Sequence, residues 1–376
     1  SPNPHFTMAT ASIITASATV TLPRPLQLDG GGALDGVEIA YEAYGQLNAT
    51  RDNVIFVAHA TTGDQHVASP HPITGKPGWW DRMVGPGKPI DTSRFYVLSA
   101  NVLGSCMGST GPGSPAADGR PYAMRFPVIT IRDMVRAHVA LLEVLEIKRL
   151  YAIVGGSMGG MQALSLAANW PEIADRVLAI ASTATMAAQN IAFQEVGRQA
   201  IMADPDWQGG DYYGTGKAPD AGLSVARMAA HITYLSEESL TGKFGRRLQD
   251  RDAKSFGFDA DFQVESYLRH QGLIFTGRFD ANSYLYITRA MSYFDLEEEH
   301  GGRLADAFSR SHAKFCVISF DTDWLYPTPQ SRKLVHALNA AGAPVSFVEL
   351  AAPFGHDSFL LDVPALDRVV KGFLEQ

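Results

Sequence analysis

The sequence predicts an α/β fold with a mostly parallel central sheet, helices on both faces and a helical insertion. Three observations carry that expectation. Strand-like and helix-like segments alternate up to residue 184 and again from residue 303. Between them, residues 185–302 show helical periodicity, aromatics and charges but no convincing buried strand. Finally, the apolar run Leu150-Tyr151-Ala152-Ile153-Val154 ends in Gly155-Gly156-Ser157-Met158-Gly159, and a helix-forming stretch, residues 161–167, follows at once. The expected division is a core of residues 8–184 and 303–376. Residues 185–302 would form a lid over the C-terminal edge of the sheet, where ligands bind in open α/β sheets.

Taken in order, residues 37–44 alternate weakly and read as an early strand ended by Gly45. Residues 53–59 are apolar enough for a strand buried on both faces, and they lead into the small-residue loop Ala60-Thr61-Thr62-Gly63-Asp64. Residues 70–91, rich in Pro and Gly around Trp79-Trp80, read as an ordered surface excursion. Residues 94–100 are the next strand, with a Gly/Ser loop at 104–114. Thr130 caps a helix whose Met134, Leu141, Leu142 and Leu145 recur at helical spacing. After the 150–154 strand, its turn and its helix comes a strand at 176–181. Beyond the insertion, 314–320 is a strand, 329–341 a helix closed by Gly342, and 344–350 the last strand. In the final helix Asp362 is the expected N-cap and Pro364 lies in the first turn. Leu366, Val369, Val370, Phe373 and Leu374 form its buried stripe.

The chain's 376 residues can bury one large core with an insertion, and 46% hydrophobic against 19% charged residues is an ordinary globular balance. A net charge of -8 provides no basic field for nucleic acid or an anionic membrane. Cys106 and Cys316 alone cannot build a disulfide framework or a zinc cluster, which points to a reducing, cytoplasmic compartment. No His/Cys/Asp grouping has ligand spacing, so no metal is expected. No apolar run is long enough to span a bilayer. Residues 1–7 lack the pattern of a signal peptide and read as a non-native remnant ahead of Met8.

Gly155-Gly156-Ser157-Met158-Gly159 is G-x-S-x-G, a strand-to-helix turn that presents a serine nucleophile. A turn this tight strains the serine backbone and demands small neighbours, and the helix that follows favours developing negative charge. A dinucleotide fingerprint fails, because Ser157 and Met158 occupy the places where its second glycine would fall. A serine nucleophile needs a base, and the base needs an orienting acid. His356 follows the last strand and a glycine and is the candidate base. Asp321 and Asp323 both lie just past the 314–320 strand; Asp323 is preferred, being further clear of the sheet edge. Backbone amides of Met158 and Thr61 are the candidate oxyanion donors. These parts specify acyl transfer through an acyl-serine and leave the acceptor open: water makes a hydrolase, an alcohol a transferase.

Longer stretches then resemble the homoserine O-acyltransferase family, within the α/β-hydrolase superfamily. They include Gly78-Trp79-Trp80-Asp81, residues 85–92, residues 101–112, residues 155–162, Gly197-Arg198-Gln199-Ala200-Ile201, residues 264–269, Arg278-Phe279-Asp280-Ala281-Asn282, Asp323-Trp324-Leu325 and Gly355-His356-Asp357. The resemblance covers nearly the whole chain from about Gly36. It implies the triad Ser157, Asp323 and His356, choosing Asp323 over Asp321. It also implies that Arg227 holds the homoserine carboxylate, that Tyr234 is the family's lid tyrosine and that Asp357 holds the amine. A guanidinium grips a carboxylate in two hydrogen bonds and a carboxylate suits an ammonium. The implied activity is acetyl transfer from acetyl-CoA to the L-homoserine hydroxyl, by a ping-pong acyl-serine route in methionine biosynthesis. No cofactor is held, and the enzyme is expected to be a homodimer through its lid. Succinyl-CoA as donor, serine as acceptor, and an esterase or thioesterase are the alternatives. A non-catalytic scaffold is disfavoured by the intact triad pattern. One departure is visible: Thr61 stands where many members carry leucine, which alters the acyl pocket lining while a backbone donor tolerates it.

Overall fold

The computed structural model describes residues 17–376. The expected remnant at 1–7 and its boundary at Met8 lie outside the described residues. Eight strands form the main sheet: β1 (Ala18–Thr21), β2 (Glu38–Tyr44), β3 (Val54–Ala58), β4 (Tyr96–Ala100), β5 (Ala152–Gly156), β6 (Arg176–Ile180), β7 (Lys314–Phe320) and β8 (Val345–Leu350). Their spatial order is β1-β2-β4-β3-β5-β6-β7-β8. β2 runs antiparallel to both its neighbours, and every other pairing is parallel. The described helices are α1 (Ile131–Val144), α2 (Met158–Asn169), α3 (Ala188–Ala203), α4 (Asp220–Tyr234), α5 (Glu237–Lys243), α6 (Gln263–Thr276), α7 (Ala281–Ser292), α8 (Thr328–Ala340) and α9 (Pro364–Leu374), with short turns at Leu296–Glu299 and Leu304–Ala307. Among the described residues the segment between β6 and β7 contains helices and no strand.

Strand side chains alternate between two cores, as period-2 pleating requires. Phe56, Ile153, Val177 and Phe315 face α1, α2 and α8 on one side. Ile55, Val154, Leu178 and Ile318 face α9 on the other. The central parallel strands β3 and β5 are buried on both faces, as is β6 after its first residue, which is why they read as continuous apolar runs. Helix α1 starts where expected. Thr130 accepts from the Asp133 amide at 3.0 Å, and the Asp133 carboxylate accepts from the Thr130 amide at 3.0 Å, a reciprocal cap.

Two expectations need correction. The N-cap of α9 is Val363, not Asp362. Asp362 lies one residue too early and is turned toward Arg82, 3.0 Å away, while Pro364 occupies the first helical position, where its missing N–H costs nothing. The 70–91 stretch is also more than a surface excursion. Trp80, Met83, Val84 and Ile90 are buried against the sheet on the α9 side. Between β3 and β4 this irregular segment does the covering that a crossover helix otherwise does. Its anchor is Trp80, whose indole N–H donates to the Phe359 carbonyl at 2.9 Å.

Replacing Trp80 by Ala should therefore cost about 3–5 kcal/mol in a urea melt, the loss typical of a buried large aromatic. Ile73→Ser, in the same stretch but 58% exposed, should change stability by less than about 0.5 kcal/mol.

Candidate active site

β5 delivers Ser157 directly to the start of α2. Ser157 has φ 57° and ψ -122°, a backbone conformation that side chains with a Cβ rarely adopt. Its N–H donates to the Ile180 carbonyl at 2.9 Å, and its carbonyl accepts from the Ser182 hydroxyl at 2.8 Å and the Gly160 amide at 3.0 Å. The glycines are dictated by crowding. A Cβ on Gly155 would lie 2.1 Å from Gly159, and one on Gly159 would lie 2.2 Å from the Ala58 carbonyl oxygen.

The ends of β7 and β8 bring two distant loops together. His356 Nδ1 and Asp323 Oδ2 are 2.9 Å apart. The other Asp323 oxygen accepts from the Leu325 and Tyr326 amides, each at 2.9 Å. Ser157, Asp323 and His356 are all buried. Asp321 does something else: it accepts from the Ala352 amide at 3.0 Å and ties the end of β7 to the segment after β8. Tyr326 packs its ring 5.2 Å from that of His356 and shares a cavity wall with Ser157 and Asn190.

The loop after β3 carries Thr61. His59 Nε2 accepts from the Val102 amide at 3.0 Å, so the proton is on Nδ1, which donates to the Ala60 carbonyl at 2.7 Å. Ala60 C=O and Thr61 N–H belong to one trans peptide and point in opposite directions. Pinning the carbonyl from behind therefore sets where the Thr61 amide aims. Gln162, one turn into α2, donates to the His59 carbonyl at 3.0 Å and joins this loop to the helix that begins at Met158. The Met158 amide, in the first turn of α2, is one of the donors a helix start leaves without an intrahelical acceptor.

Ser157 opens on a cavity of about 50 Å³, whose walls include Thr61, Asn190, Tyr234, Thr288, Met291 and Tyr326. The Thr61 hydroxyl touches Met291 of α7. A second cavity, of about 590 Å³, begins one residue along at Thr62. Arg227 faces this second space rather than the first: it donates to the Thr62 hydroxyl at 3.1 Å and lies 4.3 Å above the Phe275 ring. Tyr234 links the two, with Arg227 at 5.7 Å and the His356 ring at 6.0 Å. Burial pushes the Asp357 carboxyl up to about 6, against the pull of His356 and Arg227.

The C-terminal end of α4 is fastened to both loops. Trp324 donates to the Leu235 carbonyl at 2.9 Å, and Ser236 donates to the Pro353 carbonyl. Gly355, at φ +69°, packs so tightly that a Cβ would lie 2.6 Å from the Ser236 amide.

Tyr326, Asn190, Thr288, Met291 and the His59–Gln162 link were not singled out from sequence. Tyr326 alone had a signal, since it sits in the same loop as Asp323.

A family model described as the alpha/beta hydrolase fold matches residues 73–363. A homoserine O-acetyltransferase of Zymomonas mobilis subsp. mobilis is 66% identical over 95% of this chain and 96% of its own length. The chain belongs to the homoserine O-acetyltransferase family. A second such enzyme, of Mesorhizobium japonicum, is 60% identical over 93% of this chain and 90% of its own. Among solved structures, a homoserine O-acetyltransferase from Bacillus anthracis superposes with TM-score 0.89 at 26% identity, covering 96% of this chain and 98% of that one. Esterase E22 superposes with TM-score 0.86 at 30% identity, covering 96% and 99%. The eight-stranded sheet with β2 antiparallel is thus an α/β-hydrolase fold.

The raised Asp357 pKa makes a stability prediction. An unperturbed Asp titrates near 3.8, the folded one near 6. Well below pH 3.8 both states are protonated and no penalty exists; above pH 6 the fold bears a disfavoured charge. Asp357→Asn should raise stability at pH 8 by on the order of 1–2 kcal/mol and leave it little changed at about pH 3. Thermal melts at the two pH values check this, and equal shifts at both would show that the charge is not responsible.

Proposed function

We propose that this enzyme transfers an acetyl group from acetyl-CoA to the hydroxyl of L-homoserine through an acyl-Ser157 intermediate, the activity its family name implies. The observation that carries the reading is the Asp323–His356 pair together with the strained Ser157, with Tyr326 packed on His356 and lining the same cavity as Ser157. In the first half-reaction His356 takes the Ser157 proton as the oxygen attacks the thioester carbonyl. The Thr61 and Met158 amides receive the oxyanion. The C–S bond breaks, and the CoA thiolate leaves with the proton from His356. In the second half-reaction the homoserine hydroxyl gives its proton to His356 and attacks the acyl-serine. The ester is released, and Ser157 recovers the proton. Asp323 holds the His356 ring and stabilises its cationic form. Arg227 takes the acceptor carboxylate, Asp357 its amine, and Tyr234 packs between them. The helices of 185–302 act as a lid on a core of 8–184 and 303–376, limiting water at the acyl-enzyme.

The Ser157 cavity supports acetyl over succinyl. Its volume is about 50 Å³, and no lysine or arginine lines it among the described residues, so a second carboxylate would meet no cation there. A homodimer through the lid is supported by Val196, Val225, Ile232 and Leu273, which expose apolar surface on α3, α4 and α6. The expected site of action is the cytoplasm, in methionine biosynthesis. The structural likeness to esterase E22 favours one second reading, hydrolysis of the same acyl-serine by water.

Mixing the enzyme with acetyl-CoA alone should release one equivalent of CoA in a burst and leave an acetyl adduct on Ser157 in a mass spectrum. Turnover should then await homoserine. Steady CoA release without an acceptor would favour the esterase reading. Ser157→Ala should lower kcat by about four orders of magnitude or more and abolish the adduct; a wild-type rate would end the scheme. Succinyl-CoA, and serine as acceptor, should each be poor in a matrix of donor and acceptor pairs.

A further inference from the structure

The cavity beside the active site is lined by cations that have no ion-pair partner among the described residues. Arg227, Arg278 and Lys76 line it, with His270 at its edge. Among the described residues, none of these four is in an ion pair. Among the described residues Asp64 is the one carboxylate in the lining, with His66 at 2.9 Å and His71 at 3.0 Å from it. Arg278 donates to the Thr62 carbonyl at 2.8 Å and shares the Phe275 ring with Arg227, at 5.0 Å and 4.3 Å. The Arg227 Nε is buried with no hydrogen-bond acceptor. Burial and the neighbouring Arg227 push Arg278 down to about 10, and the same charges help burial push His231 down to about 3. Two guanidiniums held together in a half-buried wall repel one another and lose hydration. In a chain of net charge -8 such a cluster calls for an anion from outside.

Size decides what kind of anion. At about 590 Å³ the space suits a ligand much larger than an amino acid, and Trp79, Ile274 and Phe275 give it an apolar wall. The Ser157 cavity, at about 50 Å³, holds little more than a small acyl group. A coenzyme A thioester reacting at Ser157 must therefore leave most of its length outside. The two spaces adjoin through Thr61 and Thr62 and along α4, whose Arg227 faces one and whose Tyr234 faces the other.

We infer that the outer cavity binds the phosphate-bearing nucleotide end of the acyl donor, with Arg278, Lys76 and His270 as its phosphate contacts. This rests on the reading that the donor is an acyl-CoA. Arg227, at the inner end, is left for the acceptor. Lys76 is an exposed residue on a turn and His270 is exposed on α6, so neither is needed to hold the fold.

The test compares acetyl-CoA with S-acetylpantetheine, which keeps the thioester and the arm but lacks the nucleotide. Lys76→Ala/His270→Ala and, separately, Arg278→Gln should lower the preference for acetyl-CoA over S-acetylpantetheine, as a ratio of kcat/KM values, by at least about fivefold. The remaining preference should lose much of its dependence on salt. An unchanged ratio in both variants overturns the inference, as does a rise confined to the KM for homoserine, which would give the cavity to the acceptor. Arg278→Gln can also disturb Thr62, but that disturbance slows both donors alike and leaves the ratio unmoved, so the ratio isolates phosphate recognition. If the wild-type enzyme transfers acetyl from neither donor, the acyl-CoA reading itself fails, a result distinct from an unchanged ratio.

Discussion

Holding a residue that carries a Cβ at φ 57° and ψ -122° costs roughly 1–3 kcal/mol, and such a conformation persists only where its surroundings over-determine it. Around Ser157 they do. Its amide is bound to β6, its carbonyl to Ser182, and the first turn of α2 presses against the carbonyl of Ala58. Three parallel strands meet at this point, so β3, β5 and β6 must keep their register for the turn to exist. The apolar burial of those strands on both faces supplies the stability that the strained turn draws on. The same crowding that excludes larger residues at 155 and 159 lifts the serine clear of the sheet.

Charge placement follows a related logic. Asp357 would be more comfortable protonated, and Arg227 and Arg278 would be more comfortable apart. Each is held in a disfavoured electrostatic setting by an element fixed for other reasons: the turn after β8, helix α4 and the end of α6. Pre-organised charge of this kind costs folding energy and is recovered when a ligand of opposite sign arrives. The inner cavity, by contrast, is lined by hydroxyls, amides, rings and apolar side chains, with no lysine or arginine among the described residues, which suits a neutral acyl group.

Much of the fold was legible because its signals are local. Buried parallel strands are apolar runs, Thr130 announces a helix start, and the serine turn sits between a strand and a helix. Asp323 and His356 were readable for a different reason: each follows the end of a strand, and strand order places both at one edge. What escaped depends on contacts between residues far apart in sequence. Asp362 looks like a cap until Arg82 is seen beside it. Trp80 lies in a run of prolines and glycines, and only the bare sheet face beneath explains its burial. The pinning of the Ala60–Thr61 peptide by His59 needs β4 as a neighbour. That Arg227 and Tyr234, on one helix, reach two different spaces follows from their separation of about two turns along α4 and from where the Thr61–Thr62 loop lies beneath it.

The fastening of α4 to both catalytic loops bears on how reactants move. Trp324 and Ser236 join the helix end to the segments that hold Asp323 and His356, and Gly355 leaves no gap between them. A flap that swung open at this edge would drag Asp323 and His356 with it and break their pairing each time it moved. Reactants are better served by threading along a passage whose walls stay still. Two reactants would then share one corridor, entering and leaving in turn, and the order of events becomes a matter of traffic as much as of bond making.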